Sequence, residues 1–179
     1  MKGMEKNMDN LKFLFLSVRR KLVFSVIVGV TICLSVGFLA GQATQTSVNS
    51  WYLNLKKPFL TPPNWLFAPV WTLLYLLMGI AIGRIFSSGM QERKNRTAIY
   101  YFVFQLFING LWSLIFFGVK SPIGAMMVIL ILLFLIVKTI QQFKGLDLMS
   151  ARLLYPYLIW VGFASYLNLG IVLLNYGNK

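Results

Sequence analysis

Histidine is absent from the 179 residues, cysteine occurs once (Cys33), and only four acids are present, Glu5, Asp9, Glu92 and Asp147. Each shortage removes a class of chemistry. Without histidine there is no Ser-His-Asp relay and no His-rich zinc site, and acids this sparse leave no carboxylate pair for hydrolysis within one subunit. A lone cysteine forms neither an internal disulfide framework nor a redox pair, so thiols do not reveal the compartment. No metal site and no cofactor are expected. Axial ligation of a haem iron could come only from tyrosine, methionine or Cys33.

Apolar side chains are what the chain has in excess, 58% hydrophobic against 12% charged, where a soluble domain carries about 25% charge. A helix needs about 20 apolar residues to cross about 30 Å of hydrocarbon. Residues 22–41, 66–86, 98–119, 123–137 (with a polar extension to 141) and 153–174 meet or approach that length. The expected fold is all-α, a bundle of five transmembrane helices. A basic cytoplasmic tail over 1–21 precedes a single membrane domain over 22–179. The expected linkers are 42–50, 89–96, 120–122 and 143–150. A cleaved signal peptide fits the first run less well, because about 19 apolar residues exceed the usual 7–15 and no small-x-small site follows.

The charges are sorted by side. Lys2, Lys6, Lys12, Arg19, Arg20, Lys21, Arg84, Arg93, Lys94, Arg96, Lys138, Lys144 and Arg152 fall on one side of the five spans, and Lys56, Lys57, Lys120 and Lys179 on the other. The positive-inside rule puts the N-terminus in the cytoplasm and the C-terminus outside, in a multi-pass protein of the cell membrane. The net charge of +13 is thus a topology signal. Nucleic acid is excluded as a partner, since bases split by apolar spans form no continuous groove.

Within the spans, Ser25, Gly29, Cys33, Gly37 and Gly41 recur every fourth residue, and Gly79 and Gly83 repeat the spacing. Such a stripe lets backbones approach, either inside the chain or across a homodimer. Four of the six prolines lie between Trp51 and Trp71. They predict a stiff, extended connection until a helix starts near Asn64, with Pro69 in its first turns. This aromatic loop reads either as a lid over a cavity or as an interfacial belt with Lys56 and Lys57 snorkelling to water. Gln105, Asn109, Trp112 and Phe116 share one helical face, as do Tyr157, Trp160, Ala164 and Asn168, and Trp71, Tyr75 and Met78. Amides in mid-span must face the bundle interior, either to bond between helices or to line a cavity for a flat, mostly apolar ligand. No ionisable side chain lies in mid-span, which argues against a proton-coupled pump or a charged ion filter.

These residues carry a family resemblance. Trp51-Tyr52 through Trp71, with Thr72, Tyr75, Met78 and Gly79, then Asn109, Trp112 and Ser113, and finally Ala151 to Leu158 with Trp160, Phe163, Ala164, Leu167 and Asn168 resemble the TspO family, the tryptophan-rich sensory and translocator proteins. The resemblance implies a five-helix membrane bundle, often dimeric, with a cavity open toward the first loop. It implies binding of porphyrins or other apolar small molecules, and some bacterial members are reported to degrade protoporphyrin in light. Carried over by motif, the ligand-binding residues are Trp51, Pro62, Asn109, Trp160, Phe163 and Ala164; Tyr75 joins them as a ring that would stack on a macrocycle. Trp51 and Trp160 are the candidates for a catalytic role if degradation occurs. Two features depart from the pattern. Ala125 is followed by Met126, Met127 and Val128, without the acid many relatives carry there, and Asn168 precedes Leu169 rather than the tyrosine and arginine of a proposed sterol motif.

Three function classes follow. The first is a receptor or transporter-like protein binding a protoporphyrin-type ligand, whose propionates would turn to Lys56 and Lys57. The second is light- and oxygen-dependent porphyrin breakdown, with the photochemistry belonging to the ligand. The third is a scaffold whose cavity is only packing.

Overall fold

The computed structural model describes residues 2–48 and 50–176, with side chains for 15–42, 44–48 and 50–176. Lys179 lies outside the described residues, as do the side chains of Lys2, Glu5, Lys6, Asp9 and Lys12. The described elements are α1 (Lys2–Val48), a 3₁₀ turn (Trp51–Asn54), a second (Asn64–Leu66), α2 (Phe67–Ser87), α3 (Arg93–Ser113) running into a π turn (Leu114–Gly118), α4 (Pro122–Lys144), α5 (Leu148–Leu153) and α6 (Tyr155–Tyr176). No strand occurs among the described residues. Five stretches are long and apolar enough to cross a membrane: Phe15–Val48, Asn64–Ser87, Arg93–Gly118, Pro122–Lys144 and Leu148–Tyr176. The bundle of five membrane-spanning helices expected from the sequence is therefore the fold. Its outer face carries large exposed apolar residues such as Phe24, Leu39, Phe107 and Ile159, as a surface solvated by lipid requires.

The boundaries differ from expectation in three places. The polar 42–50 stretch is helical up to Val48, and its hydroxyls have acceptors that leave the helical backbone intact: Thr44 donates to the Ala40 carbonyl (3.0 Å), Ser50 to that of Thr46 (2.7 Å), and Ser47 to that of Phe117 across the bundle (2.6 Å). The fourth span is full length, and Thr139 is absorbed by a bond to the Leu135 carbonyl (2.8 Å). Ser121 starts it, accepting from Gly124 N–H (3.2 Å), with Pro122 in the first turn, where its missing N–H is harmless. The loop after α1 is not extended throughout. It turns at Phe59–Leu60, where Leu60 takes a φ of 69° and both the N–H and the hydroxyl of Thr61 bond the Pro58 carbonyl (3.4 and 2.7 Å).

The small-residue stripe packs inside the chain. A Cβ on Gly29 would fall on the Gly79 carbonyl oxygen, one on Gly79 on Val30 Cα, and one on Gly83 on Val26 Cα. Cys33 is fully buried in the same seam. This part of the stripe is therefore spent on α1 against α2.

At the other end of the bundle from the loop, Arg84 on α2 donates through Nε to Asp147 Oδ2 (2.7 Å) and through Nη2 to Oδ1 (3.2 Å). Asp147 also caps α5, accepting from Ser150 N–H (3.1 Å) and from the Ser150 hydroxyl. The Arg84 hydrogen bond, with those from Ser150, holds the Asp147 carboxyl well below its ordinary 3.8. A carboxyl depressed in the folded state stabilises above the unfolded pKa and loses that contribution as pH falls through the folded one. The melting-temperature gap between wild type and Asp147→Asn should thus be constant above about pH 5 and close below about pH 4. A gap independent of pH down to acid unfolding would show that the charge pair is not its source.

Candidate functional site

Between α1, α2 and α3, beneath the loop, lies a cavity of about 510 Å³, within the range of roughly 300–1,000 Å³ typical of small-molecule sites. Its walls are rich in aromatic rings: Phe38 from α1, Tyr52 from the first 3₁₀ turn, Phe67, Trp71 and Tyr75 from α2, and Trp112 and Phe117 from α3 and its π turn. Trp71 lies 5.8 Å from Tyr75 and 6.4 Å from Trp112 between ring centroids, and Trp112 stacks on Phe116 at 5.5 Å. These spacings are those of interacting rings. Phe116 and Phe117, adjacent in the π turn, are both buried, as are Gln105 with Leu106 and Trp112 with Ser113 earlier on the same side of α3. The Phe117 carbonyl accepts from the Ser47 hydroxyl of α1 (2.6 Å).

Several polar groups in and beside this wall are fixed between helices. Asn109 accepts from the Tyr75 hydroxyl and donates to Tyr157 Oη (3.0 Å), joining α2, α3 and α6. Asn168 accepts from Trp112 Nε1 (3.3 Å) and donates to the Pro122 carbonyl (2.8 Å), joining α3, α6 and α4. Thr44 and Ser113 share a hydrogen bond (2.9 Å) across α1 and α3. Gln105, a turn from Asn109 on α3, is buried, and neither side-chain polar atom finds a partner among the described residues. Of the two readings of the mid-span amides, interhelical bonding accounts for Asn109 and Asn168, and Asn109 also lines the cavity.

The loop divides between its two readings. Phe59, Leu60 and Trp65 are exposed, as in an interfacial belt, while Tyr52 is buried over the cavity with Lys57 Nζ 4.6 Å from its ring centroid. The loop is strapped to α6. Lys56 N–H donates to Asn175 Oδ1 (3.0 Å), Asn175 Nδ2 donates to the Lys56 carbonyl (2.9 Å), Tyr166 Oη donates to the Phe59 carbonyl (2.8 Å), and the Pro58 ring occupies the space a side chain on Gly170 would need.

Of the residues singled out from sequence, Tyr75 and Asn109 line the cavity together. Trp51 packs edge-on to Phe116 (5.8 Å), outside the cavity wall, and Pro62 is half-buried in the loop before α2. Trp160 packs edge-on to Phe67 (6.1 Å) and beside Phe163 (5.8 Å), and its Nε1 is buried without an acceptor among the described residues. Ala164 lines a smaller pocket of about 30 Å³ that shares Tyr52, Phe67, Trp112 and Phe117 with the main one. Lys56 is held by its backbone, and Lys57 lies above Tyr52. Trp71 and Trp112 were not chosen although both sit on stripes already read, one turn from Tyr75 and Asn109. Gly41 and Thr44 of α1 had no chemical signal.

The fold and the site define a multi-pass membrane protein with an aromatic cavity under a loop anchored to the last helix. The chain belongs to the TspO/MBR family, whose model matches residues 29–174. It is 37% identical over 155 residues to the tryptophan-rich protein TspO of Chlorobaculum tepidum, covering 87% of this chain and 98% of that one. It is 39% identical over 153 residues to the protein of the same name from Archaeoglobus fulgidus, covering 86% and 98%. Similarity extends to the translocator protein of Bos taurus, 34% identical over 143 residues, covering 79% and 85%.

Proposed function

We propose that the protein binds a porphyrin or similar planar apolar ligand in the cavity between α1, α2 and α3. The observation that carries this reading is the wall itself: Tyr52, Trp71, Tyr75 and Trp112 offer rings for stacking, with Asn109 as the polar partner. In the bilayer the N-terminus is cytoplasmic and the loop end of the cavity faces outward, following the lysine and arginine bias. Lys57, above Tyr52, and Lys56 then meet the ligand's propionates at the interface. Trp160, Phe163 and Ala164 form the neighbouring wall, reached when the ligand pushes past Phe67, and the unpaired Trp160 Nε1 is a donor awaiting an acceptor. Trp51 and Pro62 hold the lid above. A homodimer would use surfaces other than the Gly29–Gly37 seam.

Titration of the reconstituted protein with protoporphyrin in the dark, read by tryptophan quenching, tests the reading. Trp71→Leu should weaken binding about tenfold, since losing a ring stack and its buried area removes roughly 1–2 kcal/mol. The dimethyl ester should bind several-fold more weakly than the acid to wild type and equally to the Lys56→Gln/Lys57→Gln variant, as a partly exposed charge pair contributes about 0–1 kcal/mol. Unchanged affinity in Trp71→Leu would place the ligand elsewhere.

A second reading, light- and oxygen-dependent breakdown of the ligand, is favoured by two electron-rich indoles on one cavity wall, Trp71 and Trp112. Illumination after titration, with product analysis of wild type and Trp71→Phe, separates binding from breakdown.

A further inference from the structure

The cavity has walls on three sides. Its lining comes from α1, α2, the turn at Tyr52, Asn64 of the second 3₁₀ turn, and α3 with its π turn, and among the described residues none of it comes from α4, α5 or α6. Toward the bundle middle α1 and α2 seal each other, with Gly29 on Gly79 and Gly83 and the Tyr75 ring filling the space beside Gly37. Nearer the loop the two helices part. Phe38 and Gln45 on α1, and Ala68 and Thr72 on α2, line the cavity and are also exposed on the outside of the bundle. A Cβ on Gly41, between them, would meet nothing within 4 Å. Residues that belong at once to a cavity wall and to the outer surface mark an opening. That surface also carries Leu39 (67% exposed) and Leu73 (55%), so it is turned to hydrocarbon.

Under the loop the described cavity-lining residues are less exposed: Tyr52 is buried, and Val48 and Asn64 are half-buried. Asn175 holds both backbone groups of Lys56, Tyr166 holds Phe59, and Pro58 sits against Gly170.

We infer that the ligand passes sideways between the bilayer and the cavity, through the gap between Phe38, Gly41 and Gln45 of α1 and Ala68 and Thr72 of α2, without opening the loop. The inference rests on the planar apolar ligand proposed above. Such a ligand dissolves in the hydrocarbon layer, and this path keeps its ring out of water throughout. The path through the loop would break the Asn175 and Tyr166 hydrogen bonds and carry an apolar ring past the Lys57 charge. The gap lies at the loop end of the spans, so carboxylates kept at the interface reach Lys57 while the ring slides between the helices.

The test uses protoporphyrin preloaded into phosphatidylcholine vesicles containing the protein, with binding and release followed by stopped-flow tryptophan quenching. Ala68→Phe and Gly41→Leu add bulk at the gap where the structure has room. Asn175→Ala frees the loop. Blocking a path raises the barrier in both directions, so each gap variant should slow association and dissociation alike by about tenfold; both residues also line the cavity, so the deciding readout is dissociation, which a blocked path slows and a weakened site speeds. Asn175→Ala should leave both rates unchanged. Should one gap variant fail to fold, the other decides. Unchanged rates in the gap variants, or faster binding and release in Asn175→Ala, would overturn the sideways path and leave the ligand reading intact. No binding to wild type would overturn the ligand reading and the path with it.

Discussion

Gly79→Leu is expected to abolish the folded protein, and Gly79→Ala to destabilise it by about 1–3 kcal/mol, the usual cost of overpacking. The methyl added at Gly79 falls on Val30 Cα and N and near the Gly29 carbonyl, all backbone atoms that cannot turn aside. The only relief is to move α1 away from α2, which opens the seam holding Cys33, Gly29 and Gly83. Helix propensity works in the other direction, since alanine is favoured over glycine by about 1 kcal/mol inside a helix. Packing wins at Gly79 because the clash is with main chain. Gly41→Ala is the control, in the same helical stripe but with no atom within 4 Å of the new Cβ. It should be neutral or slightly stabilising. Thermal unfolding of the two alanine variants in one detergent gives the comparison, and equal melting temperatures would mean that the close approach of α1 and α2 contributes nothing.

The same seam explains how much of the fold could be read in advance. Runs of about 20 apolar residues are dictated by bilayer thickness, so five spans and their short linkers were legible, and so was close packing at the glycines. Which helix the glycines meet was not, because a four-residue spacing specifies a smooth surface and not its partner. The helical 42–48 segment was missed because its hydroxyls look, in sequence, like a polar linker, whereas Thr44 returns its own to the Ala40 carbonyl and Ser47 gives its own to Phe117. At the site, Asn109 was found because an amide in mid-span must face inward and because the family motif carries it, and Tyr75 because its ring lies on the aromatic stripe of the second span. Phe117 was not, since it lies at the edge of the face that carries Gln105, Asn109 and Trp112 and has no polar group to mark it. The gap beside Gly41 was equally hidden, as a cavity wall made of missing side chains leaves no residue to notice.

Asn109→Leu should cost about 2 kcal/mol or more, because it orphans two hydroxyls, each carrying a penalty of about 1–3 kcal/mol if it finds no other partner. Tyr75 and Tyr157 are both bonded to this one amide, from α2 and α6. Their positions are not equivalent. Tyr75 lines the cavity and can turn its hydroxyl to water there, whereas Tyr157 is 0% exposed and has no such outlet. Most of the loss should therefore be recovered by adding Tyr157→Phe to Asn109→Leu, and little by adding Tyr75→Phe. The net value of a hydrogen bond between membrane helices averages only about 0.6 kcal/mol, since the separated helices also find partners. On that magnitude the triple variant, with both hydroxyls and the amide removed, should stand within about 1 kcal/mol of wild type. Binding should not recover in parallel, because the triple variant keeps the shape of the cavity but has lost the amide proposed to meet the polar edge of the ligand. Thermal unfolding and protoporphyrin titration on the same four variants measure both. A triple variant as unstable as Asn109→Leu would assign the cost to packing of the leucine. Wild-type affinity in the triple variant would remove Asn109 from the ligand's contacts.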